Sequence, residues 1–351
     1  MKKKLWFKLA VVSALVFLSG AFFVVNVDAQ EKLPKLITMT SYPEGTAAYS
    51  WTAGFRQAIE KFSPMKIRVE AFGADIGRLL PLKTGDSELA CVSGGAAFIF
   101  AQGLWDWKKY GPQPIKLVWA GWRTQVGTPV RGDSDIMTPA DLKGKKIPFV
   151  PGGIAVSKSL EAVLAFGGLT WDDVKMVKVS SMRAQLAGIL DGTVDTCFAV
   201  PFAPPIQALA SGPHGVRWLP MPKNDIEGWK RAQAVAPWLR PDNVTVGPGL
   251  SKEKPGQIIG YPNGIWVYET LGEDIVYAVA KAMHLGYNVM KDMHPDLKRW
   301  SIDVALDLNW LPEIPYHDGT VKYFKEIGRW TPELEKWQQA QVKNQQKHLG
   351  R

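Results

Sequence analysis

Short apolar runs alternate along most of the chain with segments whose apolar residues recur every three or four positions. Residues 35–40 form the first predicted strand, and Trp51, Phe55 and Ile59 mark one face of a predicted helix. A second strand is predicted at 66–71. Strands that alternate with helices in this way favour a mostly parallel sheet with helices on both of its faces.

One unit of this pattern occurs twice. A predicted helix ends at Gly85, an acid follows at Glu88, and a short buried strand leads into a segment of small residues. Gly192 and Asp195 hold the same places in the second copy. The two copies predict two similar α/β lobes. A ligand is expected in a cleft between the lobes, because strand ends that open onto helix N-termini hold ligands in open α/β sheets.

The order of elements divides the chain into four parts. Residues 1–29 are a predicted signal peptide, and residues 30–125 begin the first lobe. Residues 126–260 are expected to form the second lobe. Residues 261–351 are expected to return to the first lobe and to end in helices. The return is placed at the strand 257–268, which glycine and proline interrupt.

The N-terminus has the pattern of an export signal. Three lysines follow Met1, residues 9–27 are nearly all apolar, and small residues precede a predicted cleavage after Ala29. The apolar run is also long enough to cross a bilayer, so an uncleaved anchor is the alternative.

Composition and charge argue against a nucleic-acid-binding protein and against a metal or cofactor site. The 351 residues carry a net charge of +9, with acids and bases interspersed and no basic run of the kind that nucleic acids require. Cys91 and Cys197 occupy the repeated strand position in separate lobes, which favours two buried free thiols over a disulfide. We find no metal-ligand spacing, cofactor loop or catalytic triad, and no cofactor is expected.

Four motifs resemble a known family when they are taken in order. Gly85–Leu89 comes first, Ala140–Ile147 with Val150-Pro-Gly-Gly follows, and Leu190–Thr196 and Ile314–Gly328 complete the series. The chain is similar over its mature length to the solute-binding subunits of the TAXI branch of TRAP transporters, the tripartite ATP-independent periplasmic systems.

The resemblance implies an α/β, two-lobed periplasmic-binding-protein fold of the type II-like form. Each lobe would hold a mixed, mostly parallel sheet flanked by helices, and a hinge would close the cleft. It also implies a monomeric, non-enzymatic periplasmic receptor, which passes a small carboxylate to the ion-driven TRAP membrane permease. Nucleic acid is not expected as a partner.

The candidate site residues come from loops that match the family's ligand loops. Arg78 is the expected anion anchor, although it could instead pair with Asp75 one helical turn earlier. A Ser and an Asn of the family pattern fall on Asp75 and Arg78, and its Ser-Gly-Thr falls on residues 154–156. The hydroxyls are thus partly lost, which favours an apolar or aromatic carboxylate. The candidate ligand-binding residues are Ser41, Tyr42, Thr46, Asp75, Arg78, Ser93, Gly152, Gly153, Ser157, Phe202 and Tyr261.

Two other functions stay open at this stage. An exported two-lobed enzyme could use Asp75, Glu88 or His317 as an acid or base. A binding protein could instead pass its ligand signal to a membrane sensor, and an uncleaved anchor would favour that function. The receptor is preferred because the sequence contains no dedicated catalytic constellation.

Overall fold

The computed structural model describes residues 33–351, apart from the side chain of Trp122. The predicted leader and its cleavage after Ala29 lie outside the described residues. The strands are β1 Leu36–Ser41, β2 Lys66–Ala71, β3 Leu89–Ser93, β4 Ile115–Val126, β5 Pro129–Arg131, β6 Lys146–Phe149, β7 Lys175–Lys178, β8 Val216–Trp218, β9 Arg240–Val244 and β10 Gly256–Tyr268.

Helices follow most of these strands. The α-helices are α1 Ala47–Phe62, α2 Asp75–Thr84, α3 Gly94–Gln102, α4 Ile154–Phe166, α5 Met182–Asp191, α6 Pro204–Ser211, α7 Ile226–Val235, α8 Glu273–Leu285, α9 Tyr287–Met290, α10 Ile302–Ala305, α11 Asp318–Glu326 and α12 Pro332–Leu349. Short 3₁₀ helices cover Trp105–Tyr110, Pro139–Leu142, Trp171–Asp173 and Pro295–Arg299.

The larger sheet has the strand order β2-β1-β3-β10-β4, and β9 pairs with β10. Strand β1 runs parallel to β2 and β3. Strand β10 runs antiparallel to β3, β4 and β9, so it is the strand that makes the sheet mixed. It comes from far along the chain and is inserted between β3 and β4, which joins the late part of the chain to the first lobe.

The second lobe contains two small sheets. Strands β6 and β7 pair in parallel, and β5 and β8 pair antiparallel. The strand predicted after Asp195 does not form, and that part of the prediction is wrong. The segment is paired there through an isolated bridge between Ala199 and Gly127, which follows β4 directly.

The repeated glycine and acid have the same structural roles in both lobes. Gly85 has φ 78° and ψ 12°, and Gly192 has φ 78° and ψ 13°, a left-handed conformation that ends α2 and α5 at little steric cost. The Glu88 carboxylate accepts the backbone N–H of Thr38 at 2.6 Å, and the Asp195 carboxylate accepts that of Lys146 at 2.7 Å. In each lobe the acid therefore ties the helix-to-strand turn to a neighbouring strand.

Most of the tryptophans are structural. Trp119 donates its indole N–H to the Trp300 carbonyl, and Trp266 donates to the Val92 carbonyl, both inside the core. Trp238 comes after α7 and packs on the start of α3. A Cβ on Gly95 would lie 2.6 Å from its indole nitrogen, so this contact requires glycine.

Cys91 and Cys197 are both buried free thiols, as the sequence predicts. They belong to separate hydrophobic clusters, one of which spans both lobes while the other lies in the second. Burial raises the pKa of the Cys91 thiol to about 12. Its thiol is therefore protonated at neutral pH and behaves as a small apolar side chain.

We expect Glu88→Ala and Asp195→Ala each to lower the free energy of unfolding by roughly 1.5–3 kcal/mol, because each removes a charged acceptor from a backbone N–H. Denaturant unfolding measures the change. Asp86→Ala is the control, because Asp86 is exposed and its carboxylate accepts the hydroxyl of the nearby Thr84. Equal stability of all three variants and the parent protein would contradict this role of the repeated acids.

Candidate functional site

A buried ion pair lies at the start of α2. An Arg78 Nη2 donates to an Asp75 carboxylate oxygen at 2.5 Å, and the two side chains are only 4% and 8% exposed. The i, i+3 spacing puts them on one face of the helix. The other Arg78 Nη donates to the Phe72 carbonyl at 2.5 Å. The sequence suggests either a ligand carboxylate or Asp75 as the partner of Arg78, and the structure shows the pair with Asp75.

Tyr42 covers the guanidinium. Its ring centroid lies 4.0 Å from the Arg78 Cζ, within the range of a cation–π contact. Its hydroxyl accepts the backbone N–H of Ser93 at 3.2 Å. Burial raises the pKa of Tyr42, and Asp75 adds to the rise while Arg78 opposes it. Tyr42 therefore links the loop after β1 to the end of β3 and to the ion pair.

Tyr261 of β10 forms the neighbouring wall. Its ring is almost parallel to that of Phe198 in the second lobe, with centroids 6.4 Å apart and an interplanar angle of 11°. Burial raises the pKa of Tyr261, and the nearby Tyr42 and Asp75 add to the rise, while a hydrogen bond with Thr124 opposes it. The ring contact with Phe198 brings Tyr261 of the larger sheet against the segment that follows α5.

The position of Tyr261 depends on an irregularity in the sheet. Tyr261 pairs with Thr124 and Asn263 pairs with Gly121, so two residues of β4 lie opposite the single residue Pro262. Proline has no N–H for the ladder, and a bulge accommodates it in an interior strand. The Asn263 side chain donates to the Thr124 hydroxyl at 2.6 Å and ties the two strands together across the bulge.

The second lobe meets the site at the loop after β6. The backbone N–H of Asp75 donates to the Gly152 carbonyl at 3.3 Å. A Cβ on Gly152 would lie 3.6 Å from that of Ala74. Gly153 then precedes α4, whose N-terminus carries a partial positive charge. The two lobes are therefore in contact beside the ion pair.

Two polar atoms of the ion pair have no hydrogen-bond partner among residues 33–351. They are the second carboxylate oxygen of Asp75 and the Nε of Arg78. Asp75 is 6% exposed and Arg78 is 3% exposed, so water does not compensate either atom freely. Buried polar atoms are nearly always paired in folded proteins, so each of these two requires an explanation.

The structure brings together part of the predicted site. Tyr42, Asp75, Arg78, Ser93, Gly152, Gly153 and Tyr261 lie around the junction of the lobes. The other four predicted residues, Ser41, Thr46, Ser157 and Phe202, have other local environments.

Three of these four have hydrogen bonds that occupy their hydroxyls. The Ser41 hydroxyl bonds that of Thr52 at 3.2 Å in the core, and Thr46 caps α1 by accepting from Tyr49. The Ser157 hydroxyl lies 3.0 Å from the Val150 nitrogen and 3.1 Å from its oxygen, so it fastens the loop after β6 to α4. Phe202 is 54% exposed.

Thr124, Asn263 and Phe198 adjoin the site, and sequence reasoning did not select them. The sequence does contain a signal for Asn263. Its amide lies between a proline and a long apolar run in a predicted strand, so it is expected to be buried and to need a hydrogen-bond partner. Thr124 and Phe198 carry no comparable local signal, since they reach the site only through tertiary pairing.

The residues considered as enzyme acids and bases have structural partners. Glu88 holds the Thr38 N–H, and the His317 ring accepts the N–H of Gly319 at 3.2 Å, where it caps α11. Within residues 33–351 no group of three or more His, Cys, Asp or Glu side chains is placed to bind a metal. In the same part of the chain no helix combines the length and apolarity of a membrane span.

A family model described as the NMT1-like family matches residues 42–328. The chain belongs to the NMT1-like family. The match covers the ion pair, the bulge and the whole second lobe. Its fold is the two-lobed α/β periplasmic-binding-protein fold that the sequence predicts, with a central mixed sheet flanked by helices. No curated protein matches this NMT1-like chain.

Solved structures give distant likenesses. The periplasmic aliphatic sulphonate binding protein SsuA from Escherichia coli is 24% identical with a TM-score of 0.40, and 53% of this chain matches 56% of that one. The alkanesulfonate-binding protein SsuA from Xanthomonas axonopodis pv. citri is 18% identical with a TM-score of 0.47, over 88% of this chain and 84% of that one. A protein from Bordetella bronchiseptica RB50 has a TM-score of 0.50 at 12% identity, over 84% and 98% of the two chains.

We expect Arg78→Met to lower the free energy of unfolding of this NMT1-like protein by about 3–5 kcal/mol, because it leaves the buried Asp75 charge without its cation. The double variant Asp75→Asn with Arg78→Met should lose less than the sum of the two single variants. Denaturant unfolding of the parent, the two single variants and the double variant gives the coupling energy by a double-mutant cycle. Strictly additive losses would contradict the energetic coupling of the pair.

Proposed function

We propose that this protein is an extracytoplasmic solute receptor that binds a small organic carboxylate between its lobes and delivers it to a membrane transporter. The observation that carries the proposal is the buried Asp75–Arg78 pair at the point where Gly152 of the second lobe touches the first. A charged pair at a lobe junction gives a ligand the means to bind both lobes at once.

Three features support a carboxylate. Arg78 Nε is a cationic donor that has no acceptor in the part of the chain that the structure describes. The loop at Gly152 and Gly153 leads into the N-terminus of α4, where backbone dipoles favour a negative charge. The Tyr42 and Tyr261 rings supply apolar walls, which suit a ligand with an apolar or aromatic body.

The proposed transporter partner is a TRAP permease. The motifs that resemble the TAXI subunits support this choice, from Gly85–Leu89 to Ile314–Gly328. The apolar leader supports an exported protein, which such a permease requires. The chain would work as a monomer in the periplasm and would release its ligand chemically unchanged.

A thermal-shift screen tests the receptor. The panel contains amino acids, 2-oxoacids, dicarboxylates and aromatic carboxylates, with alkanesulfonates as the comparison class. A ligand present at 100 times its dissociation constant stabilises the folded state by about 2.7 kcal/mol, which raises the melting temperature by a few degrees. We expect a carboxylate to give this shift and to be recovered intact.

Other results would change the proposal. A ligand consumed during incubation would favour an enzyme. A response to sulfonates alone, with none to carboxylates, would overturn the carboxylate. For the partner, uptake of the bound solute should follow an imposed ion gradient in vesicles that contain the permease and no ATP. Uptake that requires ATP would contradict the TRAP assignment.

A further inference from the structure

We infer that the groove between α1 and the free edge of β2 binds an extended acidic segment of a partner protein, which adds a strand to the larger sheet. The groove has a volume of about 520 Å³ and is lined by α1 between Tyr49 and Glu60, by Leu36 and by residues 66–69 of β2. The ion pair and the loop after β6 are not part of its lining, so this inference does not depend on the proposed ligand.

The backbone of β2 has hydrogen-bonding groups along both of its edges. Toward β1, Lys66 donates its N–H to the Lys35 carbonyl and Phe72 donates to the Ser41 carbonyl, so the even-numbered residues form the parallel ladder. The N–H and C=O groups of the odd-numbered residues therefore point away from β1. Within residues 33–351 the larger sheet ends at β2, and no strand lies on that outer side.

One outer position of β2 already has a partner, and the next is open. The Ile67 N–H donates to the Glu60 carboxylate of α1 at 3.0 Å, which confirms that the odd-numbered residues point outward. Two residues later the Val69 N–H points the same way, and no strand in the described part of the chain lies opposite it. Unpaired strand edges are templates for pairing with another chain, and several classes of protein bind peptides by strand addition at such an edge.

The charges around the groove favour an acidic strand. Arg56, Lys66 and Arg68 line it, and each side chain is more than half exposed. Glu60 is the single carboxylate of the lining, so three cations and one carboxylate give the groove a net charge of +2. Glu70 pairs with Arg68 at 3.2 Å but lies outside the lining. Because two such grooves repel each other, a second copy of this chain is the less favoured occupant.

The two faces of the β2 edge differ in polarity. Ile67 and Val69 lie on the face that α1 covers, next to Ala53 of the helix. Successive side chains of a strand alternate between faces, so Lys66 and Arg68 point to the other side. A strand that alternates acidic and apolar residues would set its carboxylates beside the two cations and its apolar side chains toward Val69. The groove therefore fits a segment of alternating pattern better than a uniformly acidic one.

Fluorescence anisotropy of labelled peptides on the purified protein tests the inference. The probe alternates glutamate and valine over about eight residues, an ordinary strand length. One control peptide has lysine at each glutamate, and another has glycine at each valine, which keeps the charge and removes the preference for a strand. We expect the glutamate–valine peptide to bind about tenfold more tightly than either control, and to bind more weakly as salt is added.

The variant Val69→Pro tests the backbone of the edge. Proline removes the outward N–H of Val69 and no ladder bond to β1, so the fold should persist while the affinity for the glutamate–valine peptide falls about tenfold. Val69→Thr keeps the N–H and the branched shape, and it is the matched control. Amide hydrogen exchange gives a second readout, because exchange at Val69 of the parent protein should slow when the peptide binds.

The variant Arg68→Glu tests the charge and leaves the backbone unchanged. It should weaken binding of the glutamate–valine peptide by about tenfold and strengthen binding of the lysine–valine peptide. Lys83→Glu is the matched control, because Lys83 is exposed on α2 outside the groove and the substitution makes the same change in net charge. It should leave both affinities nearly unchanged.

Four results would overturn the inference. The glutamate–valine peptide could fail to bind the parent protein. It could bind no better than the glutamate–glycine peptide, or bind a folded Val69→Pro equally well, and either result would show an anion held by side chains without an added strand. Lys83→Glu could weaken binding as much as Arg68→Glu, which would show a general effect of net charge. Finally, a dimer of the protein alone that Val69→Pro dissociates would assign the edge to a second copy of the chain.

Discussion

The buried ion pair of Asp75 and Arg78 anchors the loop after β1 and the loop before α2 to one helix. Taking two charges out of water is costly, and the cost is offset only when they pair with each other and with further polar groups. Arg78 meets this need through the Phe72 carbonyl and the Tyr42 ring. As a result, the loop after β1 and the loop before α2 take their positions from one guanidinium.

In the proposed receptor, the same pair would connect ligand recognition to the contact between lobes. The Asp75 carboxylate belongs to the ion pair, and its backbone N–H donates to the Gly152 carbonyl. A ligand that moved the carboxylate would act on the residue that touches the loop after β6. Recognition and closure would then share one residue, with no longer path of communication through the core.

Local signals made the repeat and the ion pair predictable. In both copies a glycine ends a helix and an acid follows three residues later. The i, i+3 spacing of Asp75 and Arg78 can be seen within one predicted helix. The failures have tertiary causes. The segment after Asp195 does not form a strand, because only one bridge, between Ala199 and Gly127, joins it to the chain after β4. Thr124 and Asn263 meet across two strands that are 139 residues apart in sequence.

The bulge at Pro262 makes the connecting strands mechanically uneven. The register of β4 and β10 shifts between Ile265 and Trp266, and at Pro262 the ladder itself is interrupted. A bending load on this pair of strands concentrates where hydrogen bonds are missing, and that point adjoins Tyr261 and Thr124. The compliance of this pair of strands is thus set by a proline next to Tyr261, so a substitution that restored the ladder there would stiffen the pair and displace Tyr261 in one step.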